Sequence, residues 1–415
     1  MLGLWKPMQP EDSLSLLNAD FSDENVRMYA AKRISQLPDD DLALYMPQLV
    51  QALCFEVQHL SFLGELLIER SLKNPYVVGH ELFWALRSQL HLKCTTERLG
   101  LVLEQFLLLC GSFRKELVRE VHMINLFAEI GKAVKLKEYE EDRSGALKEL
   151  IESYSEKFTD RFCIPIDSGL EAKQIEKEKC KVMDSKKLPL WLSLKNKEGA
   201  GLIPIIFKLG DDLRQDIISL QMIIVMDNVW LENGLDLRMK PYRVIATGDQ
   251  SGIVEIVKDS ETISKIQKHF GGFLGSFKYN LKMFLEQNSQ DEQKHENIME
   301  NFIRSCAGYC VATYILGIGD RHNSNIMLTK TGHLFHIDFG HFLGNFKKKY
   351  GINRERTKFV FTDEMADAMG GKNSDGFVKF KNYCCKAYNL VRKHGNRLIN
   401  LFMLMVSAGM PELQD

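Results

Sequence analysis

The stretch G-I-G-D-R-H-N-S-N-I-M-L-T-K-T-G-H-L-F-H-I-D-F-G-H, residues 317–341, sets three polar residues around a hairpin pattern. Asp320 precedes Asn325 by five positions, and Asp338-Phe339-Gly340 begins thirteen residues after Asn325. The spacer reads as two short strands, Ile326-Met327-Leu328 and Leu334-Phe335-His336-Ile337, joined by a turn at 329–332. Asp338 and Asn325 supply hard oxygen donors suited to Mg²⁺ held against a nucleotide's phosphates. Asp320, on the same loop, can orient or deprotonate an attacking hydroxyl. A lone D-F-G or a lone Asp–Asn pair is commonplace, but the three in this order across a readable hairpin are not. The implied chemistry is phosphoryl transfer, with D-R-H standing where protein kinases carry H-R-D.

Upstream, Lys208 closes an apolar strand in I-P-I-I-F-K-L-G-D-D-L-R-Q-D. Such a lysine is ordinarily a snorkelling surface residue. Here a glycine turn and an acidic run follow it, so the ammonium can reach phosphate oxygens while Asp216 holds it. No G-x-x-x-x-G-K-[ST] cradle occurs, and G-G-F-L-G does not fit a dinucleotide fingerprint. Downstream, residues 341–358 carry Lys347, Lys348, Lys349, Arg354, Arg356 and Lys358 against Glu355 alone. A run of charge is usually a solvated face. Its place directly after D-F-G suits it instead to an acceptor bearing several phosphates, or to an anionic membrane.

The rest of the 415 residues supports this reading without adding chemistry. Hydrophobic residues are 45% and charged residues 26%, the proportions of a globular protein of two or three domains. A net charge of −1 gives no global attraction to nucleic acid, and no such partner is expected. No apolar run approaches the length needed to span a bilayer, and the start lacks the marks of a signal peptide. The nine cysteines read as reduced thiols of a cytosolic protein, and Cys306/Cys310 lack the second pair a zinc site needs.

Residues 1–118 read as paired helices, with stripes at Val26, Tyr29, Ala30, Ile34, then Leu42, Leu49, Val50, Leu53, then Leu82, Phe83, Leu86, Leu90. Pro38 and the turn N-P-Y-V-V-G-H mark corners, as in an α-solenoid. The charged runs K-L-K-E-Y-E-E-D-R and E-A-K-Q-I-E-K-E-K read as solvated helices, with F-C-I-P-I-D-S-G a strand and turn between them. Beyond Met183, strands flank the long helix D-I-I-S-L-Q-M-I-I-V-M-D-N-V-W, and a mainly helical region follows from about 258. The fold expected is α+β: an all-α solenoid, then a small β-rich lobe hinged to a larger helical lobe, with a cleft as the place for a ligand.

At F-K-L-G-D-D-L-R-Q-D, R-S-C-A-G-Y-C-V-A-T-Y-I-L-G-I-G-D-R-H-N-S-N-I-M-L and F-H-I-D-F-G-H-F-L-G-N-F-K-K-K-Y-G-I-N-R-E-R the chain resembles the class I catalytic subunits of the phosphoinositide 3-kinase family. Q-L-V-Q-A-L and G-H-E-L-F-W-A-L are similar to that family's helical domain, so the resemblance spans nearly the whole chain. It implies a helical domain at 1–118, a kinase N-lobe with lead-in helices at 119–257 and a C-terminally truncated kinase C-lobe at 258–415.

The resemblance also implies ATP and Mg²⁺ as cofactors and the 3-hydroxyl of a phosphoinositide, phosphatidylinositol 4,5-bisphosphate foremost, as acceptor. By the same likeness Lys208, supported by Asp216, would touch the ATP phosphates, and Ser185 and Lys187 would lie in the phosphate-covering loop. Val254, Glu255, Ile256 and Val257 would form the hinge for adenine, walled by Met183, Trp191, Ile206, Tyr242, Met327 and Ile337. Asn325 and Asp338 would bind Mg²⁺. Asp320, His322 and His341 would surround the transferring group, and which of them takes the hydroxyl proton stays open. Lys347, Lys348, Lys349, Arg354 and Arg356 would read the headgroup phosphates.

Departures exist: Leu188 and Asn353 replace frequent basic residues, D-E-M-A-D-A-M-G-G is closer to class III and C-C-K-A-Y-N-L to class II. The likeness further implies a regulatory adaptor subunit and cytoplasmic residence, with peripheral recruitment to the plasma membrane or endomembranes. The end at S-A-G-M-P-E-L-Q-D reads as that of a fragment, with apolar surface expected at Leu401, Phe402 and Met405. The alternatives are a class II- or III-like lipid kinase, a related serine/threonine protein kinase, and a non-catalytic helical scaffold.

Overall fold

The computed structural model describes residues 6–158, 161–199, 201–270, 280–289, 291–344, 348–349, 352–353, 357–410 and 413. The chain forms two compact units, Met1–Ile217 with Arg243–Ile256 and Ile399–Gln414, and Ile218–Tyr242 with Val257–Leu398.

The first unit begins with the expected stack of helices. Asp23 caps Glu24–Ile34 by accepting from Asn25 N and Val26 N, and Ala30 and Ile34 are buried. Pro38 opens the helix Asp39–Leu44, whose three leading aspartates face the positive helix end. The stripe Leu42, Leu49, Val50, Leu53 is buried, but Tyr45 breaks it into two helices, the second being Met46–Leu53 with Pro47 in its first turn. The N-P-Y-V-V-G corner is a π-helical turn, Pro75–Gly79, that runs straight into His80–Arg87.

Arg27, outside the apolar stripe, is only 4% exposed. Its guanidinium is satisfied by Glu56 Oε1 at 2.8 Å and by the carbonyls of Leu17, Phe21 and Ala52. The expected division at 118/119 falls inside one continuous helix, Phe113–Val134, because Leu117, Met123, Ile124, Phe127, Ile130 and Val134 extend a single buried face.

That helix lies on a seven-stranded antiparallel sheet. The strands are β1 Phe162–Ile164, β2 Asp167–Ile175, β3 Lys181–Val182, β4 Leu190–Asn196, β5 Leu202–Leu209, β6 Val244–Gly248 and β7 Ser251–Glu255, ordered β1-β2-β4-β5-β7-β6 with β3 also on β4. Phe127 meets Phe207 at 5.8 Å, and Gly131 faces Leu190 and Leu209.

Both charged runs depart from expectation. K-L-K-E-Y-E-E-D-R is a short 3₁₀ turn, Lys137–Tyr139, before the helix Arg143–Ser153. E-A-K-Q-I belongs to β2, where Ala172 and Ile175 are buried on either side of exposed Lys173 and Gln174 across a register shift, and only Lys177–Lys179 is helical, as 3₁₀. The apolar surface foreseen near the C-terminus is also placed differently: Leu401 and Met405 are buried and Phe402 half-buried, whereas Ile399 and Met403 are exposed.

The second unit is mainly helical. The helix Glu292–Ile315 forms its centre and packs against Asp375–Lys393, where Tyr383 Oη donates to Glu300 Oε1 at 2.8 Å. Trp230, on the helix Arg214–Glu232 that begins in the first unit, donates from Nε1 to Ala387 O at 3.0 Å. A three-stranded sheet, β8 Ser260–Thr262, β9 Ile326–Thr329 and β10 Leu334–His336, covers this core in the order β10-β9-β8. Among the described residues no helix is long and apolar enough to cross a membrane.

Candidate active site

The hairpin read from sequence is β9–β10, paired Leu334↔Leu328, Phe335↔Met327 and His336↔Ile326. Ile326, Leu328, Leu334 and Phe335 are buried, which fixes the ribbon's register. At its turn Gly332 has φ +87°, and a Cβ there would fall 2.2 Å from the Ile298 carbonyl.

One residue beyond the ladder, Ile337 N donates to Asn325 O at 3.0 Å. Asn325 and Asp338 therefore leave the same open end of the ribbon. Asn325 is 6% exposed and its Nδ2 donates to Asp320 O at 3.0 Å, which leaves Oδ1 on the other side of the amide. Asp338 is exposed.

The loop 319–325 is stitched to 337–341 by more than this pair. Gly319 N donates to His341 O at 2.9 Å, and Arg321 Nη1 to Ile337 O at 2.7 Å. Arg321 Nε reaches Gly319 O at 2.8 Å, and its Nη2 donates to Asp338 O. Its guanidinium, 8% exposed, also lies 5.6 Å from the Phe339 ring. Sequence reasoning gave Arg321 no role, since an arginine inside D-R-H shows nothing of which carbonyls it will gather. Asp320 and Asp338 both adopt left-handed backbone, with φ of 54° and 62°. Such conformations persist only where surrounding contacts over-determine them.

His322 is exposed, and its Nδ1 accepts from Ser324 N at 3.2 Å. The neutral ring therefore carries its proton on Nε2 and presents a donor. His341 is half-buried. His336 is a different kind of imidazole: burial, then the Arg321 charge, hold its pKa well below the ordinary value, and it stacks on Tyr309 at 5.4 Å. It is a neutral packing group.

In the first unit, Lys208 sits on β5 opposite Gly252 of β7. A Cβ at Gly252 would lie 2.3 Å from Ile245 O and 2.6 Å from Leu213 Cδ1, so only glycine fits beside Lys208. Lys208 Nζ is 3.3 Å from Asp211 Oδ2, and Asp216 is buried in the first turn of Arg214–Glu232. Lys187 Nζ donates to Gly210 O, and Lys135 Nζ to Leu209 O at 2.8 Å. Burial, then the Lys187 charge, lower the pKa of Lys135. Three lysines thus meet the turn after β5, and Lys135, which caps the C-terminus of Phe113–Val134, was not found from sequence. Ser185 is exposed and its carbonyl accepts from Leu188 N at 3.0 Å.

Of the adenine-wall candidates, Trp191 pairs with Ile206 across β4–β5, and Met183 N donates to Pro189 O at 2.9 Å. Tyr242, in the second unit, is buried edge-on against Phe335 at 6.4 Å, with Met327 and Ile337 half-buried. Val254 pairs with Ile206 and Glu255 with Ile205, but the strand expected to be the hinge stops at Glu255. Val257 lies beyond it, where its carbonyl accepts from Ser260 Oγ at 2.7 Å. Of the basic residues, Lys347, Arg354 and Arg356 lie outside the described residues. The backbones of Lys348 and Lys349 form strand β11, paired with β12 Ile352–Asn353, and their side chains are likewise outside it.

Comparison with known proteins bears on both parts of the chain. Residues 202–415 match the family model of phosphatidylinositol 3- and 4-kinases, and residues 1–119 match that of the phosphoinositide 3-kinase accessory (PIK) domain. The chain is 46% identical over 413 residues to phosphatidylinositol 3-kinase 2 of Dictyostelium discoideum, covering 99% of this chain and 22% of that protein. Against phosphatidylinositol 3-kinase 1 and 3 of the same organism the identities are 46% and 42%, over 100% of this chain and 26% and 25% of theirs. The chain thus spans about a quarter of the length of these curated relatives.

Proposed function

The chain belongs to the phosphatidylinositol 3- and 4-kinase family, and from that membership we propose that it forms the catalytic part of an ATP-dependent lipid kinase acting on the 3-hydroxyl of a phosphoinositide. The observation that carries the proposal is the Ile337–Asn325 backbone bond, beside which the Asn325 amide and the Asp338 carboxylate leave one end of the β9–β10 ribbon. That donor set fits Mg²⁺, which binds through one or two protein oxygens and completes its shell with phosphate and water. Asn325 Oδ1 and Asp338 would hold the ion, and when bound it neutralises charge on the phosphates.

The protein's own groups do the rest by positioning and charge. Lys208 is assigned to the triphosphate, and Lys187 to the loop that covers it. His322, as an Nε2 donor, stabilises charge on the transferring group rather than accepting a proton. Asp320 and His341 remain the two groups of the loop able to take the hydroxyl proton. The cations of 347–358 are assigned to an acceptor with several phosphates, phosphatidylinositol 4,5-bisphosphate foremost, at a membrane surface to which the protein is recruited peripherally. The resemblance supports a regulatory adaptor for the longer protein.

Radiolabelled ATP offered with phosphatidylinositol vesicles, bisphosphate-containing vesicles and a serine/threonine peptide panel tests the class. Label should enter lipid and not peptide; label in peptide alone would make the chain a protein kinase. Lys347→Ala/Lys348→Ala/Lys349→Ala should lower transfer to the bisphosphate more than to phosphatidylinositol. Equal losses on both lipids would remove those lysines from headgroup recognition.

A further inference from the structure

Beside the catalytic loop, the second unit contains a chain of side-chain hydrogen bonds that the phosphoryl-transfer machinery does not use. Asn323, two residues before Asn325, donates from Nδ2 to Gln267 Oε1 at 2.9 Å. Gln267 Nε2 donates in turn to Glu364 Oε2 at 2.7 Å, and Glu364 Oε1 accepts from Leu281 N at 3.2 Å. The backbone repeats the link, since Ser264 N donates to Asn323 O at 2.9 Å. Gln267 lies on the helix Ile263–Phe270, and Glu364, 8% exposed, in the first turn of Asp363–Ala368, just past the basic stretch. Four polar groups from separate segments end on the loop that carries Asp320, His322 and Asn325.

The relay has a direction. A carboxylate can only accept, so Glu364 fixes which end of the Gln267 amide faces it. That end is Nε2, and Oε1 is thereby turned to Asn323, whose Nδ2 must donate. We propose that Gln267 and Glu364 are positioning residues that set the catalytic loop through Asn323, so that the segment following the basic stretch and the geometry of Asp320 and Asn325 are held by one polarised relay. This rests on the kinase reading of that loop.

The polarity makes the proposal testable by exchange of partners. In Gln267→Glu two carboxylates face each other with no proton donor between them. In Glu364→Gln two amide donors meet, or Gln267 turns over and passes the mismatch to Asn323. In the swap Gln267→Glu/Glu364→Gln the amide introduced at position 364 donates to the carboxylate introduced at position 267. That carboxylate still accepts from Asn323, and Leu281 N keeps an acceptor. Every bond is restored with the residues reversed.

Each protein, as the full chain, would be assayed for transfer of label from ATP to phosphoinositide vesicles, and for hydrogen exchange of the backbone amides of 319–325. Each single variant should lower kcat by about tenfold or more with the ATP KM within about threefold, and should speed exchange of the loop amides. The swap should return both readouts to within about threefold of the parent. Singles that match the parent in both readouts, or a swap no better than the worse single, would overturn the relay. Loop exchange is read without turnover, so an inactive parent chain would count against the kinase reading while exchange still decided the relay.

Discussion

Asp227 shows how a single buried group links structure to a pH response. Its Oδ1 is buried with no hydrogen-bond partner among the described residues. Burial first, then the Asp236 charge, push its pKa up to about 6. Because the folded value lies above the ordinary carboxylate value, the stability it lends is complete below about pH 4 and lost as pH rises through about 6. At pH 7.5 the ionised side chain thus works against the fold by about 3 kcal/mol. Asp227→Asn should raise the midpoint of thermal unfolding at pH 7.5 and lose that advantage near pH 4. A variant no more stable than the parent at pH 7.5 would contradict the assignment. No pattern in the sequence marks Asp227, since on the helix Arg214–Glu232 it is one polar position among many.

At the scale of elements, the β9–β10 ribbon was legible because its signals are local. The strands alternate with a glycine turn, and Asp320, Asn325 and Asp338 sit at fixed offsets from it. The run 171–175 was misread as helix because Glu and Lys favour helices, whereas pairing with β1 and β4 decides it; local propensity lost to tertiary context. Arg321, Lys135 and Gln267 were invisible for a related reason: Arg321 and Lys135 reach the carbonyls of Ile337 and Leu209, and Gln267 the side chains of Asn323 and Glu364, and one sequence does not record which distant groups converge.

The ribbon's turn can be tested against a matched control. Gly332→Ala drives a Cβ into the Ile298 carbonyl as well as forcing an unfavourable φ, whereas Gly371→Ala, at φ +95°, has open space around it. The first should cost more than about 3 kcal/mol in denaturant unfolding and the second about 1 kcal/mol. Equal costs would show that the Ile298 contact does not hold the turn.

At the scale of the molecule, we propose ATP roles for residues within each compact unit. Lys208, Lys187, Trp191 and Ile206 belong to the first, and Asp320, Asn325, Met327 and Asp338 to the second. The helical stack of the first unit continues through Phe113–Val134 onto the sheet that bears Lys208. A net charge of −1 with six cations gathered in 341–358 places the chain's electrostatic attraction locally.

The most direct test is the initial rate of label transfer from saturating Mg²⁺-ATP to phosphoinositide vesicles by the chain and by Asp338→Asn. The substitution keeps the shape of the side chain and removes its charge at the proposed metal site. A fall of at least about a thousandfold is predicted, with both proteins equally folded. Equal rates would contradict the assignment of Asp338, and with it the phosphoryl-transfer account of the ribbon.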